Sequence, residues 1–174
     1  REGLRRMLEE GENIIYYITI MNEFYPMPAM PDGVEEGILR GLYRYRASDN
    51  AQARVKAHLM GSGAILNEAV KAQQILQNEY DVAADVWSVT SYKNLYWDAL
   101  ECDRFNVLNP EKKSRRPYIS EQLDGARGVF VAASDYLKAL PASIAKWVPD
   151  DLIVLGTAGF GRSWGLSAGL PGSG

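Results

Sequence analysis

The chain has 174 residues, of which 47% are hydrophobic and 24% charged, and its formal net charge is −3. That profile is that of a globular protein with one domain, or one domain plus part of another, and enough apolar material for a core. A mild negative charge argues against a general nucleic-acid binder, and no apolar run reaches the roughly 20 residues of a membrane helix.

Residues 1–10, "REGLRRMLEE", place Leu4, Met7 and Leu8 at helical spacing, and Gly11 is a common helix stop. Their charges of both signs do not read as a signal peptide, so a cytoplasmic location is expected. Beginning in mid-helix on Arg1, the chain is expected to be a fragment. The run "IIYYITIM" over 14–21 reads as a buried strand. It leads into "NEFYPMPAMP", where Pro26, Pro28 and Pro31 forbid both strand and helix. Over 33–45, Val34, Ile38, Leu42 and Tyr45 form a helical stripe, with Glu35 and Glu36 early and Arg40, Arg44 and Arg46 late, as a helix dipole favours. Residues 47–53, "ASDNAQA", are polar and weakly patterned, and read as a linker.

Beyond the linker, strands alternate with helices. "RVKAHLMG", "ADVWSVTS", "GVFVAASD" and "DLIVLGT" read as strands; 65–80, 92–104, 117–125 and a segment ending near Trp147 read as helices. Such alternation implies crossover connections and a mostly parallel sheet with helices on both faces. Val55, Ala57, Leu59, Val86, Val89, Val129, Val131, Ile153 and Leu155 are expected among its buried positions, with residues 1–46 packing outside. The last dozen residues, "SWGLSAGLPGSG", carry no charge and read as a flexible or aberrant tail.

Few residues suggest chemistry. Cys102 is the only cysteine and His58 the only histidine, in different elements, which excludes a disulfide framework and zinc sites of the usual kind. Cys102 reads as a small apolar residue, and His58, on one face with Lys56 and Met60, as a packed or surface residue. "GSG" at 61–63 could cradle phosphate between strand and helix, but without a longer glycine pattern or a following lysine it reads as a tight turn. "KKSRR" at 112–116 reads as a solvated loop. Glu23 is different. It stands two residues past a strand end, where open α/β sheets bind ligands. Prolines would fix its loop, and Tyr25, Met27 and Met30 would exclude water, so its carboxyl could stay protonated and donate a hydrogen bond. The plainer alternative is a solvated loop acid.

The blocks "YYITIMNEFYPMPAMPDGVEEGILRGLYR", "LMGSGAILNEAVKAQQIL", "ADVWSVTSYKNL", "RFNVLNP", "RRPYISEQL", "VAASDYLKALPASIAKWVP" and "VLGTAGFGRS" resemble, in this order, those of one family. It is the homodimeric, thiamine-diphosphate-dependent first component of bacterial pyruvate dehydrogenase complexes. The resemblance implies that 1–46 is the end of the pyrimidine-binding domain, 47–53 a linker, 54–163 a transketolase-type C-terminal domain and 164–174 the tail. It implies decarboxylation of pyruvate on thiamine diphosphate with magnesium, then reductive acetylation of the lipoyl domain of the second component, by a homodimer. It also implies that Glu23 lies close to the bound intermediate. Pro26 stands where family members often carry histidine, Ala158 replaces an aspartate, and the similarity ends at Ser163. The "GDG" element that holds magnesium diphosphate and the glutamate that activates the aminopyrimidine are not in this sequence, so no cofactor-binding or metal-binding residue is assigned and the chain alone is expected to be inactive. Two alternatives stand beside this reading: part of another 2-oxo-acid dehydrogenase, or a non-catalytic structural or dimerisation module with the same fold.

Overall fold

The computed structural model describes residues 1–18, 24–50, 52–135 and 137–157. At the N-terminus α1 (Glu2–Leu4) runs into a π-helical turn (Arg5–Glu9). There follow α2 (Glu35–Arg40), β1 (Leu42–Arg46), β2 (Val55–Gly61), α3 (Ile65–Tyr80), β3 (Val82–Val89) and α4 (Tyr92–Leu108). The remainder comprises α5 (Tyr118–Gln122), β4 (Val129–Asp135), α6 (Ala139–Ala142), a 3-10 turn (Ala145–Trp147) and β5 (Leu152–Thr157).

The five strands form one sheet in the order β1-β3-β2-β4-β5. β2, β3, β4 and β5 are mutually parallel, and β1 pairs antiparallel with β3. The fold is therefore α/β with a mixed, mostly parallel sheet, as the alternation of elements implies. Strand alternation sorts the core into two layers. Met60, Trp87, Val89, Phe130 and Ala132 pack with Tyr92 and Leu95 of α4 and Tyr118 and Ile119 of α5. Ala57, Leu59, Ala84 and Val86 pack on the other face against Leu66 and Ala69 of α3.

Several expectations are corrected. The helix expected over 33–45 ends at Arg40. Gly41 follows in the left-handed region, at φ 109°, where a side chain's Cβ would come within 2.6 Å of the Ser91 carbonyl oxygen. The chain then enters the sheet as β1, so residues 42–46 do not pack outside it. Leu42, which fitted the helical stripe, is instead fully buried beneath the sheet, and its carbonyl accepts the Tyr118 hydroxyl at 2.9 Å.

The strand expected over 14–21 is not formed by its described part. Residues 14–18 are irregular, with Ile15 94% and Tyr17 90% exposed; residues 19–21 lie outside the described residues. A strand exists through its ladder partners, and no described strand pairs with this segment.

The expected core is half right. Ala57, Leu59, Val86 and Val89 are buried, whereas Val55, Val129 and Ile153 are 54%, 41% and 41% exposed, and Val131 and Leu155 are half-buried. Val55 and Val129 open their strands. Val131, Ile153 and Leu155 lie on the α3 side, through the register Leu59–Val131–Ile153, but α3 sits over β2 and β3. No described helix covers that outer part of the sheet. The helix expected to reach Trp147 is α6 plus the separate 3-10 turn, with Pro141 buried in α6.

Candidate functional site

In the parallel part of the sheet the chain leaves β2 in one direction, through α3 to β3, and β4 lies on β2's other side. The carboxyl ends of β2 and β4 therefore flank a topological switch point, the usual ligand position in open α/β sheets. A cleft of about 510 Å³ opens there, lined by Tyr25, Pro26 and Pro28 of the proline loop, Tyr45 of β1, Ile65, Asn67 and Val70 of α3, and Asp135 of β4. The Asn67 side-chain amide donates to the Pro26 carbonyl at 2.9 Å and ties the loop to the first turn of α3. Glu68 and Lys71 on the same rim form an ion pair at 2.7 Å.

The β2–α3 turn is a tight reversal, as the sequence suggests. At Gly61 a Cβ would meet the Leu66 Cα at 2.8 Å, and Gly63 has φ 56°. The leading amides of α3 are already spent: Ile65 N–H donates to Ser62, Leu66 to Gly63 and Asn67 to Ala64, at 3.1–3.2 Å. A phosphate would have to compete with those bonds.

Glu23 lies outside the described residues. Its described neighbours do not form the water-excluding wall expected of them: Phe24 is fully exposed, Met27 and Met30 are exposed, and Tyr25 alone of the expected residues is half-buried. The structure brings the proline loop to the switch point but leaves its apolar side chains uncovered.

The other sequence candidates sit in structural roles. The Cys102 thiol is half-buried, 3.6 Å from the Arg116 carbonyl, and burial foremost raises its pKa above the ordinary thiol value, so it remains a protonated, unreactive group. The basic segment 112–116 is exposed but ordered: Asn106 exchanges hydrogen bonds with the Arg115 backbone at 2.9 and 2.8 Å, and the Arg115 guanidinium lies 3.6 Å from the Phe105 ring centroid. His58 is buried inside the sheet.

Sequence reasoning missed the aspartates that join elements. Asp98 of α4 accepts the Tyr118 backbone N–H at 2.7 Å and lies 3.5 Å from Arg40, while Asp103 accepts from Lys146 and from the Trp147 indole at 2.5 and 3.2 Å. Their partners are remote in sequence, and no local pattern announces them.

Among the described residues no group of three or more His, Cys, Asp or Glu could hold a metal ion, and no helix is long and apolar enough to cross a membrane. With the α3 amides spent, the described residues do not fit a magnesium diphosphate group.

A mostly parallel five-stranded sheet with helices on both faces and a cleft at its switch point defines an open α/β domain of the kind that binds ligands at its strand ends. The chain matches the transketolase-like TK C-terminal domain over residues 41–168 and belongs to that family. It is 47% identical over 164 residues to the pyruvate dehydrogenase E1 component of Pseudomonas aeruginosa, covering 94% of this chain and 18% of that protein. Against the pyruvate dehydrogenase E1 component of Escherichia coli K12 it is 45% identical over 164 residues, covering 93% of this chain and 18% of that protein. Against that of Mycobacterium tuberculosis it is 43% identical over 163 residues, 92% and 17% respectively. The chain thus spans under a fifth of the length of these relatives, and the part it matches is their C-terminal region. The resemblance recognised in the sequence blocks is borne out by these matches.

Proposed function

We propose that the chain is the C-terminal part of an enzyme that decarboxylates pyruvate on thiamine diphosphate and magnesium, then reductively acetylates the lipoyl group of an acetyltransferase component. The observation that carries this reading is the 47% identity to a pyruvate dehydrogenase E1 component across 94% of the chain. In this reading the cofactor and metal are held by parts of the protein outside this sequence, and the enzyme works as a homodimer in the cytoplasm. Residues ahead of β1 end the pyrimidine-binding domain; β1 itself, although within the 1–46 span assigned to that domain from sequence, goes with the C-terminal domain.

Glu23 is the proposed catalytic residue. Its loop runs to the switch point of the C-terminal sheet, where the Pro26 carbonyl is held by Asn67. A carboxyl in a proline-fixed loop, once the remaining domains cover the exposed Phe24, Met27 and Met30, would lose hydration and could act as a hydrogen-bond donor to a reacting group. The test is a chimera in which this chain replaces the matching C-terminal region of the Escherichia coli relative. Pyruvate-dependent acetylation of a lipoyl domain within about tenfold of the parent is expected. A folded, cofactor-loaded chimera active on another 2-oxo acid and not on pyruvate would refute the substrate assignment.

A further inference from the structure

His58, the chain's single histidine, sits in the middle of β2, the central strand, and is only 5% exposed. Both ring nitrogens are committed. Nε2–H donates to the Arg127 carbonyl at 3.2 Å, and Nδ1 accepts the Trp87 indole N–H at 3.3 Å. The ring stacks on Phe130 of β4, with centroids 4.5 Å apart and planes inclined by 20°. These contacts fix the neutral tautomer with its proton on Nε2. A second proton would go onto Nδ1, where it would face the Trp87 N–H, donor against donor, in a buried site.

We propose that the His58–Trp87 pair is an acid-sensitive lock on the centre of the sheet, joining β2, β3 and the turn before β4 while His58 is neutral and releasing them when it takes up a proton. The charged groups around it do not remove this sensitivity. Asp85 of β3 has Oδ2 3.8 Å from Nδ1, beyond hydrogen-bond distance, and its carboxylate already accepts the Ser48 N–H at 2.8 Å and stands 4.0 Å from Arg44 of β1. Asp150, in the connection to β5, favours a proton on His58, and Lys56 of β2 opposes it. Arg127 faces the ring with its carbonyl. Desolvation outweighs the attractions and holds the folded imidazole below the ordinary value of 6.5.

The unfolded chain therefore binds the proton first. The lock contributes fully above about pH 6.5, and its contribution is lost as pH falls from there towards the folded-state value, by up to about tenfold in the unfolding constant per pH unit. His58→Gln keeps one donor and one acceptor on a side chain that does not titrate. Urea unfolding of the full chain and of this variant between about pH 5 and 7.5 is the experiment. The unfolding constant of the unsubstituted chain, relative to the variant's, should rise as pH falls below about 6.5; parallel pH profiles would overturn the proposal. Side-chain nitrogen NMR of the folded chain supplies a reading that needs no variant. His58 should titrate below pH 6.5 with the Trp87 indole signal moving in step, whereas a midpoint at or above 6.5, or a Trp87 signal indifferent to it, would overturn the proposal.

Discussion

Glu23 and Pro26 stand three residues apart in one loop, yet their replacement should have very different effects. If Glu23 has the proposed role in the assembled enzyme, Glu23→Ala removes a donor or charge used when the substrate reacts, and interactions made mainly in the transition state lower turnover when lost. A fall in kcat of about 100-fold or more is expected, with cofactor affinity little changed. Pro26→Ala removes rigidity but no proton, and should cost far less. Equal and mild effects in steady-state kinetics would make the loop mere scaffold. A second residue has a prediction that the isolated chain can test. Gly41→Ala forces a Cβ to 2.6 Å from the Ser91 oxygen at φ 109°, so the conformation alone costs about 1–3 kcal/mol and the contact adds to it. Denaturant unfolding should show that loss; an unchanged midpoint would mean that the α2–β1 turn is not held as described.

The elements differ in how far the sequence announces them, and the reason is physical. Residues 65–80 carry a helical stripe and fold as α3 over those same residues, because local period and tertiary burial agree there. At β1 they disagree. Leu42 and Tyr45 fit the helical spacing begun by Val34 and Ile38, and the left-handed Gly41 that breaks it carries no marker beyond being a glycine. Only the antiparallel partner β3, whose paired residues lie 40 to 47 positions away in sequence, decides that 42–46 is a strand. The 14–18 segment fails for the converse reason: it has strand composition but no described ladder partner. The candidate site divides likewise. The proline loop is legible, since prolines exclude regular structure; its Asn67 tether is not, because an asparagine at the third position of a helix has no distinctive pattern. That tether has a measurable consequence. A net hydrogen bond is worth about 1 kcal/mol, so Asn67→Ala should speed chymotryptic cleavage after Phe24 by about fivefold while leaving the unfolding midpoint of the sheet domain unchanged. Unaltered cleavage would show that the contact holds nothing.

At the scale of the molecule, apolar surface is unevenly distributed. Ile15, Tyr17, Ile18, Phe24, Met27 and Met30 are exposed in one stretch of chain, and Val129 and Ile153 on the outer sheet. Exposed apolar surface of this extent favours association, so the chain alone should self-associate as its concentration rises, and a monomer that persists in sedimentation would contradict this. The described residues of the polar linker read at 47–53 are better held than its composition suggests. Gln73 donates to the Ala47 carbonyl at 3.2 Å, Asp85 accepts the Ser48 N–H at 2.8 Å, and Ala53 is buried. Limited proteolysis should therefore begin within 14–31, with 47–53 resistant.

In the proposed function, this chain supplies a transketolase-type C-terminal domain and the Glu23 loop to an enzyme whose cofactor is gripped elsewhere. Titration calorimetry with thiamine diphosphate and magnesium, run in parallel on the chain alone and on the Escherichia coli chimera, tests it most directly. The leading α3 amides of the chain are spent on the β2–α3 turn, and no described group of His, Cys, Asp or Glu could hold a metal. Saturable binding is therefore predicted for the chimera and none for the chain alone, whereas micromolar binding by the chain alone would contradict the account.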